Sequence, residues 1–159
     1  MAEQRITPFL WFNNQAEEAM HHYVSIFEHA KIESVTRYEE GPLKGRVLTG
    51  VFELEGQRFM ALDGGPEFNF TEAISFQINC ETQEEVDHLW EKLSEGGDKG
   101  AQQCGWLKDK FGVSWQVVPT VVPELLNDPD PDRSQRVMQA LLQMKKLDIA
   151  KLKDAYAGR

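Results

Sequence analysis

The sequence predicts an α+β fold of two βαβββ modules followed by a C-terminal helical extension, and two observations carry that reading. A strand-like run, Ile6-Thr7-Pro8-Phe9-Leu10-Trp11-Phe12, passes through the polar Asn13-Asn14-Gln15 into an amphipathic segment ending near Phe27. The same plan recurs as Ala73-Ile74-Ser75-Phe76-Gln77-Ile78-Asn79-Cys80, then Glu81-Thr82-Gln83, then an amphipathic segment ending near Leu93. The glutamate pairs Glu17-Glu18 and Glu84-Glu85 stand 67 positions apart, and strand-like segments follow each helix. A half of that size cannot easily bury its own sheet face, so two copies facing each other, with a small-molecule cup between them, is the expected solution. The 159 residues fit a single domain, with module one at about 5–66, module two at about 67–119 and the extension at about 120–159.

The elements follow in order. The first helix should start at Asn13 or Asn14, with Glu17 three residues after Asn14 forming a capping box, and bury Ala16, Ala19, Met20, Tyr23, Val24 and Phe27. Residues 31–39 and 46–54 alternate as strands around Gly41-Pro42-Leu43-Lys44-Gly45. Glu55-Gly56 turns the chain into a third strand over 57–62, and Asp63-Gly64-Gly65-Pro66 closes the half. In the second half Thr82 and Glu85 form a capping box, Val86, Leu89, Trp90 and Leu93 the buried stripe, and Gly96-Gly97 the helix stop. Residues 102–107 and 113–119 are the last strands, turned by Asp109-Lys110-Phe111-Gly112. Beyond Pro119 come a helical turn over 123–126, a helix opened by Asp130-Pro131 with Val137, Met138, Leu141 and Leu142 on its apolar side, and a last turn or two from Asp148 to about Tyr156. That stripe covers either the domain's own sheet or a partner subunit.

Composition excludes several classes. Hydrophobic residues at 41% and charged residues at 27% describe a globular chain rather than a disordered one. A net charge of −9 opposes nucleic acid and anionic membranes, both of which require clustered cations. No apolar run approaches the ~20 residues of a membrane span. Residues 1–5 have no secretory character, and two cysteines, Cys80 and Cys104, fit reduced thiols, so a cytoplasmic location is expected.

Three stretches are distinctive: Ile6-Thr7-Pro8-Phe9-Leu10-Trp11-Phe12, Ala73-Ile74-Ser75-Phe76-Gln77, and the block from Cys104-Gly105-Trp106 through Lys108-Asp109-Lys110-Phe111-Gly112-Val113-Ser114-Trp115-Gln116 to Pro119. They resemble the PhnB-like family of the vicinal oxygen chelate superfamily, which includes glyoxalase I, extradiol dioxygenases and fosfomycin- and bleomycin-resistance proteins. The resemblance covers roughly residues 5–156 and implies the paired-module fold and a homodimer. Members often carry the label 3-demethylubiquinone-9 3-methyltransferase. A class I methyltransferase needs a glycine-rich turn from strand to helix, and the glycine pairs here sit at turn and cap positions instead.

The superfamily's enzymes hold a divalent metal through His, Glu or Gln on the first and last strands of the modules. Laid on this sequence, that pattern falls on Pro8, Met60, Ala73 and Gln116. Pro and Ala have no donor and Met is a poor ligand for hard cations, leaving Gln116 alone, so no metal or other cofactor is expected. His21, His22, His29 and His88 read as surface residues, and Cys80 and Cys104 as inert thiols without an activating base.

Strand parity gives a ligand-site list. Ile74, Phe76, Ile78, Trp115 and Val117 should lie under the second helix, and Phe9 and Trp11 under the first. Leu10, Phe12, Ser75, Gln77, Ser114 and Gln116 then face the cup, with Ala73 and Val118, and the family pattern adds Met60 on the fourth strand; Trp106, Phe68 and Phe70 are at its rim or in ordinary packing. Neutral amides and hydroxyls in an apolar cup suit a small, largely uncharged molecule, or they satisfy one another across the sheet. The leading reading is a protein that binds a small organic molecule without catalysing a metal reaction. The alternatives are a metal-dependent lyase, isomerase or dioxygenase with a non-standard site, and an interaction module working through its C-terminal helices.

Overall fold

A computed structural model describes residues 3–159, and the chain divides into two compact units, Met1–Asn69 and Phe70–Arg159. In the first unit β1 (Phe9–Phe12) leads to α1 (Ala16–Ile26), then β2 (Ala30–Arg37), β3 (Val47–Leu54) and β4 (Gln57–Asp63). The four strands order as β1-β4-β3-β2, with β1 parallel to β4 and the other pairs antiparallel. This is the predicted βαβββ module, and α1 lies on one face of its sheet.

Which residues turn to that face is settled by Gly50. A Cβ there would stand 2.5 Å from the Met20 sulfur of α1, so the glycine is what lets the helix lie close to β3. Gly50 pairs with Ala61, and Ala61 with Leu10, which puts Leu10 and Phe12 against α1. Tyr23 of α1 stacks on Phe52, which stacks on Phe59, and Leu10, Phe12, Met20, Tyr23, Phe52 and Phe59 are all buried. Burying each large side chain contributes about 1.5–3 kcal/mol, so this stack is what holds helix to sheet.

The start of α1 differs from the expected capping box. Its N-cap is Gln15 and no side chain of 13–15 caps it. The buried carboxylate of Asp63 does so instead, accepting from the Ala16 amide at 2.9 Å and from the Val47 amide at 3.0 Å. An Asx residue that looks like a local turn former is thus a tertiary cap joining α1, β3 and β4.

The second unit runs β5 (Phe76–Cys80), α2 (Gln83–Ser94), a 3₁₀ turn (Lys99–Ala101), β6 (Trp106–Lys108) and β7 (Ser114–Pro119). Three helices follow: α3 (Val121–Leu126), α4 (Pro131–Leu142) and α5 (Ile149–Ala157). The sheet is β5-β7-β6, with β5 parallel to β7 and β6 antiparallel to it. The strand expected over 102–107 is shortened to β6, with Gln103 joined to Trp106 by an isolated bridge, so two strands rather than three follow α2. Gly96, Gly97, Asp98 and Gly100 are poor strand formers, and the Cys104 and Gly105 amides donate instead to the Met144 and Lys145 carbonyls. Thr82 caps α2 as expected, its Oγ1 accepting from Glu85 N–H at 3.2 Å, while the Glu85 carboxylate accepts from Glu81 N–H at 3.1 Å, one residue before the N-cap.

The extension packs on its own unit. Val122, Leu125, Val137, Leu147 and Leu152 form a buried cluster, and Val118 at the end of β7 packs against it. Gln83 of α2 ties in the α4–α5 connection by donating to Leu147 O at 3.1 Å and accepting from Ile149 N at 2.8 Å. Of the predicted apolar stripe, Val137 is buried, Leu141 half-buried, and Met138 and Leu142 are exposed. Among the described residues no helix is long and apolar enough to cross a membrane.

Candidate functional site

The second sheet has a helix-covered face and a helix-free face, and their composition differs sharply. Trp115 and Val117 of β7, Leu107 of β6 and Cys80 of β5 are buried with Val86, Leu89 and Leu93 of α2. Trp115 pairs with Phe76 and Leu107, so Phe76 shares this side. Ile74, expected there too, precedes the strand and is 71% exposed. The alternate residues of β5, β7 and β6 face the other way: Gln77 and Asn79, Ser114 and Gln116, Trp106 and Lys108.

Register makes these residues neighbours. Lys108 pairs with Ser114, and Trp106 and Gln77 both pair with Gln116. Because Phe76 pairs with Trp115, Ser75 lies one step back beside Ser114. Ser75, Ser114 and Lys108 therefore line one row, and Gln77, Gln116 and Trp106 the next. The Gln116 amide donates to Ser75 Oγ at 2.9 Å and the Gln77 amide to Asn79 Oδ1 at 3.0 Å, so the amides partly satisfy one another. The structure thus brings together four predicted site residues, Ser75, Gln77, Ser114 and Gln116. Val118 has the same parity but is taken by the C-terminal cluster.

Sequence reasoning missed Lys108, Asn79 and Glu72. Lys108 forms an ion pair with Glu72, and that hydrogen bond holds the Glu72 carboxyl below its ordinary range. The missed signal was hairpin register: pairing Asp109 with Val113 across Lys110-Phe111-Gly112 sets Lys108 opposite Ser114.

That hairpin is braced by a second buried carboxylate. Asp109 Oδ1 accepts from the Phe111 and Val113 amides at 2.9 and 3.0 Å, and Oδ2 from Trp115 Nε1 at 2.9 Å. These three bonds run to backbone and side-chain groups of the hairpin, and the residue is 2% exposed, so it positions β6 and β7.

On the first sheet Met60, as predicted, points away from α1, next to Phe9 and Val51 in register. Leu10 and Phe12 do not: they are 7% and 2% exposed in the α1 core, and Phe9 and Trp11 take the helix-free face. The expectation of Phe9 and Trp11 under α1 is thus reversed, because Gly50 and Asp63 fix which face meets the helix. Trp11 is held there by donating Nε1–H to Gly65 O at 3.0 Å, with Phe68 edge-on at 4.9 Å and Gly64 flat under its ring.

The side chains at the superfamily's metal positions do not suit the metal. Pro8 and Ala73 offer no side-chain donor and Met60 only a thioether, which leaves the Gln116 carbonyl oxygen as the single hard donor of the set, so these positions do not fit a hard divalent ion. Among the described residues no group of three or more His, Cys, Asp or Glu could hold one elsewhere. His21, His29 and His88 are exposed and His22 is half-buried beside Tyr23. Cys80 is fully buried and burial pushes its thiol up to about 12, while Cys104 is half-buried.

Residues 4–118 match the family described as 3-demethylubiquinone-9 3-methyltransferase. The chain belongs to this PhnB-like family. A PhnB protein of Bacillus cereus carrying the same description is 41% identical, with a TM-score of 0.68 over 74% of this chain and 100% of that one. Two more distant structures share the fold: protein PA1353 of Pseudomonas aeruginosa (22% identity, TM-score 0.61, 74% and 98% covered) and the fosfomycin resistance protein FosX of Mesorhizobium loti (11%, 0.57, 80% and 100%). The fold is therefore that of the vicinal oxygen chelate superfamily. The comparison with curated proteins yields no match. The matched stretch ends at residue 118, and the helices α3–α5 lie outside it.

Proposed function

We propose that this PhnB-like chain binds a small organic molecule on the helix-free face of its second sheet, as a homodimer and without the divalent metal of the superfamily's enzymes. The observation that carries the reading is the patch of Ser75, Gln77, Asn79, Ser114 and Gln116 on one face. Hydroxyls and amides fix the orientation of a ligand without supplying a general acid, a general base or a nucleophile at neutral pH. The misfit of Pro8, Met60, Ala73 and Gln116 to a hard cation supports the metal-free part. The homodimer rests on the family resemblance.

The methyltransferase description is not proposed as the activity. A class I methyltransferase brings its cofactor to a glycine-rich strand-to-helix turn, whereas the three strand-to-helix connections here, Asn13-Asn14-Gln15, Glu81-Thr82 and Thr120, contain no glycine.

Native mass spectrometry of the gently purified protein tests the reading, because one spectrum reports subunit number, metal and retained ligand. The expected result is a metal-free dimer, with any added small-molecule mass lost on harsher activation. About one divalent ion per chain would overturn it and put a metal-dependent lyase, isomerase or dioxygenase in front.

A further inference from the structure

Lys108 is the one cation carried by β5, β6 and β7, and its place in the register is specific. It pairs directly with Ser114, which is 2% exposed, and Ser75 is the next residue along the same row. Ser75 Oγ already accepts from the Gln116 amide, so its own proton is directed elsewhere and is free to donate. Two hydroxyls and an ammonium in line form a set of donors suited to an acidic oxygen group.

The Lys108 side chain is 24% exposed and requires a counter-charge. Its present partner, Glu72, is 61% exposed and lies on the segment before β5, three residues from Ser75. A partner so exposed is held weakly. A neutral ligand entering this row would leave the ammonium unpaired or keep Glu72 in the way, whereas an acid replaces Glu72 like for like.

We propose that the molecule bound on this face carries one acidic oxygen group, a carboxylate or a phosphoryl, which Lys108 takes in exchange for Glu72 while Ser75 and Ser114 orient it. The inference rests on the binding reading above and adds the ligand's charge. It also replaces the expectation of a largely uncharged ligand, which was drawn from Ser75, Gln77, Ser114 and Gln116 without Lys108.

The test is titration of the ¹⁵N-labelled full-length protein with benzoate, phenyl phosphate and the neutral benzamide, at an ionic strength that screens the net charge. Amide shifts at 106–108 and 114–116 are followed by heteronuclear NMR. One or both acids should move these amides, and the tighter of the two identifies the group as carboxylate or phosphoryl. Lys108→Met, which keeps the side-chain stem, should weaken the acids about tenfold or more and leave benzamide unchanged. Glu72→Gln, on an exposed segment, should tighten the acids about two- to fivefold. Acids and benzamide binding equally, with both variants indifferent, would overturn the acidic-ligand inference and leave the binding reading standing. If none of the three probes moves these amides, both fall.

Discussion

Replacing Asp63 by alanine is the perturbation that most directly tests how the first module is held together. Both carboxylate oxygens are engaged, by the Ala16 amide at 2.9 Å and the Val47 amide at 3.0 Å, and the residue is 2% exposed. A hydrogen bond to a charged group contributes about 1.5–3 kcal/mol, and an abandoned buried N–H costs about 1–3 kcal/mol. The two bonds together give an upper range near 6 kcal/mol. Water entering the space left by the carboxylate recovers part of that, so a loss of about 3–4 kcal/mol is expected. Asp63→Asn keeps one acceptor and turns an NH₂ toward the other amide, for a loss of about 2 kcal/mol. Hydrogen exchange read by mass spectrometry is the assay, because it resolves the first module from the second. In Asp63→Ala, peptides covering 14–20 and 45–52 should exchange on the order of 100-fold faster, with β5–β7 little changed. Acceleration below about threefold in both peptides would refute the reasoning and make the carboxylate available for another role.

Further expectations follow from single contacts. Gly64→Ala drives a Cβ to within 2.2 Å of the Trp11 ring, so it should destabilise the first module by about 1–3 kcal/mol and shift Trp11 emission, read against a Trp11→Phe background. In native protein Cys104 should react with a thiol reagent well before Cys80, which is fully buried. Burial raises the Cys80 thiol to about 12, so its neutral form is favoured by folding. The resulting stability is complete below the unfolded value of about 8.5 and is lost as pH rises from there toward 12, an effect that Cys80→Ala should remove from urea midpoints measured at pH 8 and pH 10.5. Tyr156 donates to Asp128 at 2.6 Å, and that bond holds the Asp128 carboxyl below its ordinary range. The contribution is present above the unfolded value of about 3.9 and is lost as pH falls through the lower folded one. Exchange in 149–157 should therefore rise between pH 5 and pH 3 relative to the rest of the chain, and Tyr156→Phe should show the raised level at both.

The candidate site was partly legible. Ser75, Gln77, Ser114 and Gln116 were placed on one face because β5 and β7 alternate cleanly, and alternation is a local property. Leu10 and Phe12 were misplaced because β1, Phe-Leu-Trp-Phe, is apolar at every position and carries no parity of its own. Its orientation comes from β4 and β3, through Ala61 and Gly50. Ile74 was over-read because an apolar residue beside a strand looks like part of it. Trp90, expected in the buried stripe of α2, is half-buried at its margin.

The sequence by itself determined the element order, the duplicated strand-helix plan, the α2 and α4 caps and the family, since each rests on neighbouring residues or on stretches of distinctive composition. Only the tertiary structure decided that Asp63 and Asp109 are buried braces, that the C-terminal stripe packs on its own unit, and that Lys108 shares a row with Ser75 and Ser114. Each of those facts joins residues distant in the chain or set side by side by strand register, and pairing across strands is fixed by packing rather than by local propensity.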